Sequence, residues 1–239
     1  MKINNKALKI VTYTLIAMLF VACASKEKTP RERDEFFVAD ISPIEIGTYH
    51  LYASFGLSKP KICDFNISFY PRTNVVYIKG RVGMDIIMVG FNYKERQSIG
   101  QAKDKYIEAY KNHTLKNEKP SKKNSFSTGT LPFGWGALSP SYHATVNYLT
   151  NAEYILENKP YFRIRFESTR GLGDDSKVSS PRTSIYISPA QWEQITKDCS
   201  QENLESLADE VLNQANNFDT GSDFDEEIES SEETQLEVF

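Results

Sequence analysis

The sequence predicts an α+β fold, in which antiparallel sheets alternate with capped helices in one domain over residues 44–216. Three observations predict it. Short runs rich in β-branched and aromatic residues are punctuated by Gly, Pro and Asn turn signals. Two such series each end in an N-cap signature. An apolar stripe at helical spacing then closes the domain as a C-terminal amphipathic helix.

Taken in order, Glu45 to Phe55, Ile62 to Tyr70, Val75 to Val82 and Asp85 to Phe91 read as four strands of a meander. Asn92 and Glu95 stand at capping spacing, and Ile99, Ala102, Tyr106, Ile107 and Tyr110 recur with a helical period, so a helix follows. Lys111 to Lys123 is a polar connection. Ser125 to Trp135, Ala144 to Thr150, Tyr161 to Glu167 and Thr183 to Ile187 are the second set of strands, with Glu153 to Asn158 either a short helix or a further strand. Ser188-Pro189-Ala190-Gln191 carries a cap, a proline at the first helical position and Gln at the third. Trp192, Ile195 and Cys199 share the face of that helix. The stripe of Leu204, Leu207, Ala208, Val211, Leu212 and Ala215 is out of phase with it, which places a break near Ser200. Residues 44–123 and 124–216 thus form two candidate halves of a duplicated ββββα unit. This order of elements resembles the arrangement of Whirly and PUR-type single-strand-binding folds, a likeness that bears on fold more than on function.

The ends of the chain are of a different character. Lys2, Lys6 and Lys9 precede an apolar run from Ile10 to Val21, which at roughly 12 residues is too short to span ~30 Å of hydrocarbon. Phe20-Val21-Ala22-Cys23 closes that run. The segment resembles the type II signal peptide of bacterial lipoproteins, with Phe where members more often carry Leu. The resemblance implies that residues 1–22 are a leader, that Cys23 is acylated and becomes the first mature residue, and that the protein is held by membrane lipid. Ala24 and Ser25 carry no acidic inner-membrane retention signal, so the resemblance favours the outer membrane or cell surface. Residues 23–43, with the charged stretch Ala24 to Glu35, read as a lipidated tether. Residues 217–239 hold nine acidic residues and no Lys or Arg, and read as an acidic disordered tail. The formal net charge of −4 therefore divides into +3 on the leader, −9 on the tail and +2 on residues 23–216.

Chemistry-bearing motifs are few. His50, His113 and His143 are the whole histidine supply, and none stands at metal-ligand spacing with another His or Cys. There is no H-E-x-x-H, C-x-x-C or G-x-S-x-G, and no cofactor is expected. Gly171 to Ser176 reads as a polar turn. With Cys23 acylated, Cys63 and Cys199 remain, either as a disulfide in an oxidising compartment or as small buried hydrophobes. The candidate ligand-binding residues come from strand alternation. It puts Tyr77, Lys79 and Arg81 on one face of their strand, and Arg163 and Arg165 on one face of theirs. Trp135 joins them, because Phe133-Gly134-Trp135-Gly136 sets rings beside glycines, with core or loop packing as the other reading of that segment. Such a face is either an ordinary solvated sheet face or one suited to an anionic envelope glycolipid, a host polyanion or an acidic protein segment, the acidic tail included, while an exported protein rarely meets nucleic acid. The functional expectation is a lipid-anchored envelope module for binding or structure. An envelope hydrolase acting on glycan or peptide and a nucleic-acid-binding fold retargeted to the envelope are the alternatives.

Overall fold

A computed structural model of the chain describes residues 35–219, apart from 117, 119, 120 and 157. The leader, Cys23, most of the tether and nearly all of the acidic tail lie outside the described residues.

Eight strands follow one another: β1 (Ile44–Phe55), β2 (Lys61–Tyr70), β3 (Val75–Val82), β4 (Asp85–Phe91), β5 (Thr128–Gly136), β6 (Tyr142–Ile155), β7 (Lys159–Phe166) and β8 (Thr183–Ile187). Each pairs antiparallel with the next, and β8 pairs back to β1 through Tyr52↔Tyr186 to Phe55↔Thr183. The expectation of separate antiparallel sheets is therefore corrected to a single closed barrel, which leaves no sheet edge unpaired. A second correction concerns Glu153 to Asn158. The segment continues β6 as far as Ile155, because Asn151 to Ile155 pair with Arg163 to Lys159 and extend the hairpin.

Helix α1 (Tyr93–Lys111) joins β4 to β5, and α2 (Pro189–Asp198) and α3 (Gln201–Asp219) follow β8. The Asn92 side chain accepts from Glu95 N at 3.0 Å to start α1. Ser188 and Gln191 close a reciprocal capping box at the start of α2. Ser200 separates the last two helices and takes the Asn203 N–H on its hydroxyl at 3.2 Å, so α3 has a cap of its own.

An eight-stranded barrel has an interior just wide enough for side chains to fill it. Here Leu51, Phe65, Val89, Phe133, Val146 and Phe166 are among the residues that do so. Gly80 on β3 stands opposite Phe65 on β2, and a Cβ there would lie 2.5 Å from the phenyl ring, so the glycine is what admits the ring.

Because the strands run alternately up and down, their connections alternate between the two ends. All three helices emerge at one end. Tyr106 of α1 and Trp192 of α2 meet Phe162 edge-on at 5.4 and 5.2 Å, and Leu204 and Ala208 of α3 pack on Ile67, Phe69 and Val76. Val38 and Ala39 join this second cluster, with Val38 N donating to Pro71 O at 2.8 Å. The end of the stretch expected to be tether is thus folded against the barrel.

Candidate binding site

The closure of the barrel decides what becomes of the basic strands. β3 and β7 are four strands apart in either direction round the ring, on opposite sides, and cannot form one face. Alternation does turn their polar residues outward, yet the two strands meet different surroundings. Lys79 and Arg81 are exposed, and Arg81 Nη1 donates to Met84 O at 3.0 Å and Ala137 O at 3.1 Å, tying two loops together. Tyr77 sets its ring edge-on to Tyr70 at 4.7 Å and lines a surface hollow of about 230 Å³ with His143 and Leu172.

On β7 the cations are already matched. Arg163 is buried, with Nε and Nη2 on Asn151 Oδ1 at 3.0 and 2.9 Å and Nη1 on Glu153, and Arg165 pairs with Glu167 at 2.8 Å. Trp135 points into the barrel interior against Phe133 and Tyr142. The candidate anion platform of Tyr77, Lys79, Arg81, Trp135, Arg163 and Arg165 is therefore not assembled, and Arg163 and Arg165 are each already paired with a carboxylate. Of the two readings of the cysteines, the disulfide is the one that does not hold. Cys63 and Cys199 are free thiols, Cys63 reaching only Lys61 O on its own strand and Cys199 closing the C-terminus of α2.

The feature best suited to a ligand lies instead at the helix end. Between α1, α2 and the rim of the barrel there is a cavity of about 330 Å³. Its walls are mainly apolar, with Ile67, Ile78, Phe91, Ile164, Ile187 and Trp192 contributing. Polar groups gather at Arg96, Lys103, Asp104 and Gln201. A largely apolar cavity with a few convergent polar groups, at the lower end of the ~300–1,000 Å³ range, is the common form of a small-molecule site.

Each polar group is placed by a local cause. Arg96 lies one turn past the Asn92 cap, and its guanidinium donates to Asn74 O (2.8 Å), Phe91 O (3.0 Å), Asn74 Oδ1 (2.7 Å) and Gln201 Oε1 (2.5 Å). All four acceptors are neutral. Burial lowers its pKa to about 10, with small opposing help from Cys199, Tyr93 and Glu95, so it keeps its charge at neutral pH. Lys103, mostly covered, pairs with the exposed Asp104 at 2.6 Å. Trp192 Nε1 is buried and has no hydrogen-bond partner. Gly100 lines the cavity from the middle of α1, and a Cβ built on it would meet no atom within 4 Å.

Burial shifts the titratable side chains of the site. Its thiol, Cys199, is pushed up to about 12 by burial and then by the Asp198 charge, and so is not a thiolate at neutral pH. Asp198 accepts the Tyr49 hydroxyl, whose pKa burial raises further. Among the described residues no group of His, Cys, Asp and Glu is arranged to hold a metal ion.

Residues 17–206 match the model of a protein family whose description reads "Uncharacterised Treponema protein". The chain belongs to this family. A relative from Treponema pallidum (strain Nichols), itself described as "Uncharacterized protein", is 29% identical over 187 residues, which is 77% of this chain. The match spans 66% of that relative's length. No solved structure matches the chain. Among the described residues no helix is long and apolar enough to cross a membrane.

The sequence reading did not find the cavity. Its residues come from β2, β3, β4, β7, β8 and all three helices, and only the closed fold brings them together. One local signal was present: a glycine at position 100 inside an otherwise regular helical pattern, where Ala would be favoured by about 1 kcal/mol.

Proposed function

We propose that this protein is a lipid-anchored bacterial envelope protein, held through acyl chains on Cys23, whose barrel is a binding module with its site in the cavity between α1 and α2. The observation that carries the binding role is the cavity itself, mainly apolar in its walls and furnished with a half-buried guanidinium and an unmatched indole N–H. The anchor rests on Phe20-Val21-Ala22-Cys23 behind a short basic and apolar leader. One acyl chain holds a protein only marginally at a bilayer, whereas two or more on one residue hold it stably. The outer membrane or the cell surface is the assigned location, given Ala24 and Ser25 after the cysteine.

The same reading takes 44–123 and 124–216 as duplicated halves. What supports this is that each contributes four consecutive strands and then a capped helix at the same end of the barrel.

Metabolic labelling with an alkyne analogue of palmitate, followed by membrane fractionation, tests the anchor. Cys23→Ser should lose both the label and the membrane association. A Cys23→Ser protein that stays labelled and sediments with membranes would overturn it. For the binding role, native mass spectrometry of the full-length protein taken from envelopes should show an added small-molecule mass that Gly100→Phe lacks. An identical spectrum for the two proteins would remove the cavity as the site.

A further inference from the structure

We infer that the ligand of this cavity is a single aliphatic chain ending in a carboxylate. The inference rests on the cavity being the binding site and assigns the chemistry it accepts.

The walls specify the chain. Ile67, Ile78, Phe91, Ile164 and Ile187 offer hydrocarbon from five different elements, and this apolar part of the wall gives a sugar or a peptide nothing against which to match its hydroxyls or amides. The open space beside Gly100 widens the cavity along α1, where any larger side chain would project into it. Room is kept there at a cost to the helix of about 1 kcal/mol relative to Ala.

The unmatched polar atoms specify the head. Among the described residues lining the cavity, the buried polar atom without a partner is Trp192 Nε1, which is a donor only. Arg96 brings a half-buried positive charge whose four hydrogen bonds all go to neutral oxygens, and a partly desolvated cation favours a nearby anion. Lys103 adds a second cation. The negative groups close by are Asp104, paired with Lys103 and mostly in water, Glu95, next to Arg96 in the chain, Asp198, beside Cys199, and Glu205, which accepts from Gln201. Neither Arg96 nor Trp192 Nε1 makes a hydrogen bond to an acceptor that carries negative charge. A carboxylate supplies both acceptor and charge, and the Lys103–Asp104 pair, whose carboxylate lies mostly in water, is too weak to keep the lysine from turning to it.

The test uses the full-length protein, uniformly ¹⁵N-labelled and held in phosphatidylcholine nanodiscs, titrated with dodecanoate and separately with dodecanol. The readout is the indole N–H resonance of Trp192, assigned by its absence from Trp192→Phe. Comparing variants in the same nanodiscs cancels partitioning of the probes into lipid. Dodecanoate should move the resonance downfield and saturate. Lys103→Met should weaken dodecanoate roughly tenfold while leaving dodecanol unchanged, in line with loss of one charge-assisted hydrogen bond. Gly100→Phe, which fills space that the chain leaves open, should abolish the response to both. If Lys103→Met affects acid and alcohol alike, the assignment of the head is wrong and the cavity remains the binding site. If neither probe moves the resonance, or if the response survives Gly100→Phe, the assignment of the head and the binding site fall together.

Discussion

The two ends of the barrel are built on opposite plans. At one end three helices cover the strand termini and bury aromatic rings against them. At the other the four connections β1–β2, β3–β4, β5–β6 and β7–β8 close the strands with loops, and each carries an aliphatic side chain in water. Leu57 is 101% exposed, Met84 82%, Leu138 90% and Leu172 66%. The same residue type therefore means different things at the two ends: Leu204 is completely covered by Ile67, Phe69 and Val76, whereas Leu138 touches mainly solvent. The difference teaches that the fold depends on one end, and that the loop end is held by the barrel wall and by a few polar ties such as Arg81 to Met84 O and Ala137 O.

The largest effect expected from this contrast is at Leu204. Truncation to Ala removes a fully buried side chain from the cluster that fastens α3 to the barrel, and buried Leu→Ala changes cost about 2–5 kcal/mol. Urea unfolding of wild type and Leu204→Ala should differ by that much. A shift below about 1 kcal/mol would mean that α3 is not fastened there, and the contrast between the ends would lose its main support.

Ser188→Ala sharpens the comparison by loosening the helix end without opening a cavity. The hydroxyl accepts from Gln191 N, and the Gln191 side chain accepts from Ser188 N at 2.9 Å and donates to His50 O at 2.7 Å. Loss of the cap should cost about 1 kcal/mol, read as a lower denaturant midpoint at unchanged slope. An unchanged midpoint would show that packing of Trp192 and Ile195 alone holds the start of α2.

How much of this contrast the sequence could carry follows from where each signal resides. Local signals sufficed for the strands and caps: Val75 to Val82 and Asp85 to Phe91 need only their own composition, and the Ser-Pro-x-Gln order contains its whole capping geometry within four residues. Closure is not local. The pairing of Tyr52 with Tyr186 joins residues from opposite ends of the domain, and nothing in either strand names the other. That one fact governs the site. Alternation correctly turned Lys79, Arg81, Arg163 and Arg165 outward, but only the closed barrel shows that β3 and β7 stand on opposite sides and that Asn151 and Glu153 arrive beside Arg163 across the β6–β7 ladder. Of the two readings of Trp135, ligand contact and core packing, the core one holds. A glycine on either side makes a ring look free, whereas here Gly134 and Gly136 flank an indole turned into the core. Arg96 and Trp192 each looked like an ordinary helical residue until α1 and α2 were set against the same rim.

The smallest effect is expected at the loop end, and it is the sharpest check on the comparison. Leu57, Met84, Leu138 and Leu172 bury little area, so replacing each with Ser returns little apolar surface to water. Gly56 and Gly83, which hold the positive φ angles of the first two loops, are left in place, so turn geometry gives no reason for a loss. Each single change should stay within about 0.5 kcal/mol of wild type, as surface substitutions do. The four together should remain nearly additive, since they stand on separate loops. Urea midpoints of the four single variants and the quadruple variant would measure this. A loss of more than about 2 kcal/mol in the quadruple variant would mean that the four tips shelter one another, and the loop end would then have to be counted as a second packed cap and not as a solvated rim.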